Sequence, residues 1–204
     1  MPQMNETVWN GWRLTGVIAM ALFAMSAACL LAPDPVADVR LILRLTARTS
    51  LALFLLAFTA SAVVRVFPSP FTQWLRSNRR YLGVSFAISH AVHLVAIIML
   101  ARLDYAMFLQ HTNIVAYIGG GLAYLFIVLM TATSFNRTSA LIGPRAWSWL
   151  HTTGMWYIWV TFALNFGKRV PLNHAYLLPV GLIVLAAAIR LAGRRKPMVN
   201  PVTI

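Results

Sequence analysis

YLGVSFAISHAVHLVAIIMLA, residues 81–101, is the stretch on which the fold turns. It carries no Asp, Glu, Lys or Arg, over a length that matches the roughly 20 residues an α-helix needs to cross a bilayer. Two histidines, His90 and His93, interrupt it midway. Working outward, comparable apolar runs occupy residues 14–32, 49–67, 113–134, 147–167 and 175–192. Proline marks the boundaries, as expected of a residue that cannot continue a helix. Pro33 and Pro35 close the first run, and Pro68 and Pro70 the second. Gly143-Pro144 precedes the fifth, and Pro171 separates the fifth from the sixth. The expected fold is an all-α, six-helix transmembrane bundle, forming one membrane domain over residues 1–204.

Composition agrees. The chain is 60% hydrophobic and 10% charged, with a mean hydropathy of +0.73, whereas a soluble domain carries about 25% charged residues. Six spans and their loops leave no length for a separate soluble domain, and no nucleotide-binding segment is expected. A net charge of +13 in a soluble protein points to nucleic acid. Here the basic residues occupy short loops between apolar runs, so the expected partner is the lipid bilayer and not a nucleic acid. The single cysteine, Cys29, excludes an intrachain disulfide and reads as a packing residue. The first ten residues hold Glu6 and no basic residue, unlike a signal peptide. The first run is therefore retained as a span.

Lys and Arg set the orientation. Arg13, Arg65, Arg76, Arg79, Arg80, Arg137, Arg145, Arg190, Arg194, Arg195 and Lys196 fall on one side of the six spans. The other side holds six: Arg40, Arg44, Arg48, Arg102, Lys168 and Arg169. The richer side carries both termini, which are expected in the cytoplasm.

No Asp or Glu lies inside a span. Ion-coupled carriers commonly use intramembrane carboxylates as relays, so that class is disfavoured. Histidine is present instead. His90 and His93 share roughly one face of the third span, being three residues apart. His151 lies near the start of the fifth, an offset in depth of roughly 6 to 10 Å. Histidines so placed have two readings. They hydrogen-bond helices together, or they clamp a haem iron within a helical bundle.

Asn78-Arg79-Arg80-Tyr81-Leu82-Gly83-Val84, followed by His93, resembles the entry motif and downstream histidine of the ferric reductase-like transmembrane family. Trp147-Ser148-Trp149-Leu150-His151 resembles that family's entry into its fifth helix. Within the family, the chain is most similar to the haem-bearing membrane subunits of bacterial periplasmic methionine sulfoxide reductase systems. The resemblance implies one b-type haem with His93 and His151 as axial iron ligands. It also implies a bacterial inner-membrane location and electron transfer across that membrane. The donor would be quinol or a cytoplasmic flavin reductase, with quinone or flavin as a further cofactor. The acceptor would be a periplasmic reductase.

One departure stands out. Where the family has a second histidine in the fifth helix, this chain has Leu164 and Asn165. That argues against two haems and leaves His90 as a substitute ligand, or haem lost altogether. His111 and His174 read as solvated loop residues. Arg76, Arg79, Arg80 and Arg145 flank the histidine-bearing helices and read as membrane-surface anchors, with pairing to haem propionates as the sharper alternative. Trp147 and Trp149 fit an interfacial belt, and Trp156, Tyr157 and Trp159 fit core packing. Gly119-Gly120-Gly121 would permit a close helix contact, and Arg194-Arg195-Lys196 an anionic-lipid anchor. The expected function is a haem b electron-transfer subunit of an oxidoreductase. The rivals are a non-redox transporter or structural subunit, and a self-standing metalloreductase.

Overall fold

The structure is a computed structural model. It describes residues 9–31 and 33–195, with the backbone alone at His111 and Arg195. Glu6, Ala32, Lys196 and both chain ends lie outside the described residues. Eight α-helices and no strand occur among the described residues. They are α1 Gly11–Cys29, α2 Pro35–Val66, α3 Pro70–Ser77, α4 Arg79–Leu103, α5 Tyr105–His111, α6 Ile114–Ala132, α7 Asn136–Gly167 and α8 Leu177–Arg195, with a 3-10 turn at His174–Tyr176.

Five of these segments are long and apolar enough to cross a membrane: α1, α2, α4, α6 and the stretch His174–Arg194. By length and composition the chain is a multi-pass membrane protein. The fifth expected span, 147–167, is helical throughout as the C-terminal part of α7. It is not among the five, because Trp, Tyr, Thr, His and Asn recur along it and lower its apolarity. Large apolar side chains stay exposed along whole helix faces, as lipid contact requires. On α6 these include Ile114, Ile118, Leu122, Leu125 and Leu129.

Three boundaries differ from the sequence expectation. α2 starts at Pro35 and runs 32 residues, about 48 Å, against a hydrocarbon core of about 30 Å. Its added turns carry Arg40, Arg44 and Arg48 on one exposed stripe, while Val39, Ile42 and Thr46 are buried on the other. The expected loop after Pro68 contains α3. Ser69 caps it in a reciprocal capping box with Thr72, and a proline opens its first turn. The loop expected around His111 contains α5, capped by the Asp104 side chain on Met107 N. Within α7, Gly143 adopts φ 74° ahead of Pro144 and divides the helix where the fifth span was expected to begin. Proline disfavours the α-region in the residue before it, and glycine alone takes the left-handed alternative without strain.

The chain forms two compact units. The first comprises Met1–Leu53 and Arg80–Ile118, the second Phe54–Arg79 and Gly119–Ile204. In the first, Val39, Ile42, Ala96 and Leu100 form a core patch on which Cys29 packs, in keeping with its reading as a packing residue. At the start of α4, Tyr81 meets Trp12 edge-on at 5.2 Å, and its carbonyl accepts from Thr15 Oγ1. In the second, Phe54 and Phe58 of α2 pack on Phe162 and Trp156 of α7. Trp159 Nε1 donates to Ile183 O of α8 at 2.9 Å.

Candidate functional site

In the first unit, α2 and α4 are joined by a seam of buried polar side chains. Ser50 Oγ donates to Ser89 Oγ at 2.9 Å, and Thr49 Oγ1 lies 3.1 Å from the same atom. One turn along α4, His93 Nδ1 lies 2.8 Å from Thr46 Oγ1. Thr46 Oγ1 also lies 2.6 Å from Ile42 O, which can only accept. A hydroxyl has one proton. Both contacts are hydrogen bonds only if that proton goes to Ile42 O and Thr46 accepts from His93 Nδ1–H. The neutral ring then carries its lone pair on Nε2. This is the arrangement in which an imidazole serves as a metal ligand, with its other nitrogen held by an oxygen.

His90 belongs to the same constellation. Its ring stacks on His93 at 5.5 Å between centroids and lies 5.2 Å from Phe86. The structure thus brings His90 and His93 together, as their spacing implies.

His151, in the second unit, is held differently. Its Nε2 lies 3.0 Å from Thr133 Oγ1, whose proton is directed to Leu129 O at 2.7 Å. By the same logic Nε2–H donates, and the lone pair falls on Nδ1, the nitrogen crowded by the ring's own Cβ. Trp147 stacks on the ring at 4.2 Å while its Nε1 donates to Thr133 O at 3.0 Å. Thr133, Trp147 and His151 therefore tie α6 to α7. Trp147 is part of this knot and not only of an interfacial belt, whereas Trp149 is exposed.

The other expected residues are placed as follows. Leu164 is 67% exposed, and Asn165, also exposed, donates to Thr161 O of its own helix. The position of the missing histidine therefore points outward from α7. Of the three consecutive glycines, only Gly119 has a close neighbour: its carbonyl accepts from Tyr157 Oη at 3.0 Å. An added Cβ at Gly120 or Gly121 would meet nothing within 4 Å, so the expected close helix contact is absent there. Arg76 and Arg145 are exposed, and Arg80 lies over the Tyr81 ring at 5.0 Å. Arg79 donates to Ser61 Oγ at 3.3 Å. His174 opens an exposed 3-10 turn, and His111 ends α5. No cluster of three or more His, Cys, Asp or Glu able to hold a metal occurs among the described residues.

Thr46, Thr49, Ser50, Ser89 and Thr133 were not singled out in the sequence. Ser85, Ser89 and His93 recur every four residues, a polar stripe on one helix face that was there to be read.

Replacing Thr46 by Val keeps the side chain's shape and removes the acceptor for His93 Nδ1–H. Leaving that donor unsatisfied costs about 1–3 kcal/mol. We expect a melting temperature several degrees lower in detergent, measured by circular dichroism. An unchanged melting curve would show that the contact carries no net stability.

Comparison of the chain with protein-family models, with curated proteins and with solved structures finds no match.

Proposed function

We propose that the chain is a six-helix membrane subunit that carries one haem b and moves electrons across a bacterial inner membrane. The observation that carries this reading is the Thr46–His93 contact: with the Thr46 proton on Ile42 O, His93 Nδ1–H donates to Thr46 and the lone pair lies on Nε2, the form in which an imidazole ligates iron. The family-like sequences around His93 and His151 support it. Haem b supplies a one-electron couple between ferric and ferrous iron. By resemblance, His93, with His90 beside it, and His151 are the side chains that would hold the haem iron. The Thr46 hydroxyl would orient the His93 ring through its Nδ1. His151 fits once its ring turns away from Thr133 and frees Nε2. Electrons would enter from quinol or a cytoplasmic flavin reductase and leave to an acceptor on the outer side. By resemblance, that acceptor is a periplasmic methionine sulfoxide reductase.

A second reading has its own observation. The Thr133–Trp147–His151 knot bonds α6 to α7, as a helix-bonding histidine in a non-redox membrane protein would.

The two readings separate in an absorption spectrum. The protein is purified in mild detergent after expression with haem precursor, beside His151→Ala, and spectra are taken oxidised and dithionite-reduced. The haem reading expects a sharp reduced b-type α band that is weakened in the variant. A colourless wild-type protein would sink it and leave the non-redox reading.

A further inference from the structure

The second unit contains eleven of the chain's 17 basic residues and none of its four Asp and Glu residues. Four of its arginines gather where α2 and α8 end and α4 begins. Arg65 Nη1 donates to Gly193 O, and Arg190 Nη1 to Phe58 O. The Arg190 guanidinium carbon lies 4.3 Å from the Phe58 ring centroid, and those of Arg190 and Arg194 each lie 5.8 Å from that of Trp156. Arg79, held on Ser61, is near enough for its charge to act on Arg190 and on His151.

Arg65, Arg79 and Arg190 are only partly exposed, and among the described residues they meet neutral carbonyls, a hydroxyl and ring faces. Each guanidinium has five N–H donors. Arg65 Nε is buried with no acceptor among the described residues. Like charges drawn together out of water, with no carboxylate side chain in the unit, are costly unless an anion joins them. Rings and carbonyls offset part of the desolvation but do not neutralise the charge.

We propose that this cluster is a binding site for a phosphate group, supplied by the headgroup of an anionic phospholipid. Lipid is favoured over free phosphate by position. Arg65, Arg190 and Arg194 lie in the last turns of two membrane-length helices, the level at which headgroups sit, and basic clusters there recognise anionic lipid. The site rests on the membrane placement of the chain and not on haem.

The experiment measures melting in neutral detergent with added phosphatidylglycerol, phosphatidylcholine or inorganic phosphate. The proteins are the wild type, Arg65→Gln, Arg190→Gln and the exposed-edge variant Arg194→Gln. Arg40→Gln/Arg44→Gln serves as a charge control in the first unit. Phosphatidylglycerol should raise the melting temperature of the wild type and of the control, with phosphatidylcholine inert. The lipid concentration needed should rise about fivefold for each arginine lost. Arg194 is exposed, so its variant keeps the test readable if the buried ones misfold. Equal lipid responses in all proteins, or none in the wild type, overturn the site. A response to inorganic phosphate without one to phosphatidylglycerol overturns the lipid assignment.

Discussion

His93→Ala should leave the purified protein with at least about tenfold less haem than the wild type, while His90→Ala keeps most of it. The two histidines share one helix and touch ring to ring, so the sequence ranks them equally. The Thr46 hydroxyl distinguishes them. With its own proton on Ile42 O it accepts from His93 Nδ1–H, which leaves the lone pair on Nε2, and such a hydrogen bond raises the basicity of that nitrogen. Loss of such an oxygen partner alone typically costs 10–100-fold in metal affinity, so loss of the ligand itself should cost no less.

The measurement is the ratio of pyridine haemochrome to protein for wild type and both variants, with circular dichroism as a check on folding. If His90→Ala loses the haem and His93→Ala keeps it, the ligand is His90, and the Thr46 contact is a helix-bonding device. If a haem-containing wild type loses nothing in either variant, the third-span histidines are not ligands. Thr46→Val adds a readout that a purely structural role would not give. With haem bound, a less basic His93 should stabilise the ferric state less and move the midpoint potential upward.

The legible and illegible parts of the site have one physical cause. An apolar window finds α2 only from Thr49 onward, because residues 35–48 hold three arginines and an aspartate. Yet those residues are helix, with the arginines on the exposed stripe and Val39, Ile42 and Thr46 on the buried one. Thr46, the partner of His93, lies in the part that such a window reads as loop. Hydropathy averages over all faces of a helix, whereas burial depends on one. The histidines were legible because an imidazole in an apolar run is conspicuous. Their hydroxyl partners were not, because Thr and Ser are unremarkable wherever they stand. α7 shows the converse: its aromatic and hydroxyl content keeps its apolarity low, while Trp156, Trp159 and Phe162 serve as packing residues between helices.

Gly193→Ala should be the most disruptive single-methyl change in the second unit. A Cβ at Gly193 would lie 2.7 Å from Ala62 Cβ, 2.8 Å from Ala62 Cα and 2.9 Å from Ala62 O. These are distances that real Cβ atoms essentially never show, and two of the three atoms are backbone, so no side chain can swing aside. α2 and α8 would have to separate, and the hydrogen bond from Arg65 to Gly193 O would lengthen with them. Small residues let helices approach closely where lipid gives no hydrophobic drive to association, and overpacking a close contact costs about 1–3 kcal/mol. Gly154→Ala provides the comparison. Its Cβ would meet Met130 Sδ at 2.8 Å and a Phe126 ring carbon at 3.0 Å, and a methionine side chain can adapt. We therefore expect a clear drop in melting temperature for Gly193→Ala and a smaller one for Gly154→Ala, compared in the same detergent. Equal drops would mean that α8 can shift along α2 as readily as a methionine can change rotamer, and the tight α2–α8 contact would no longer account for the burial of Gly193.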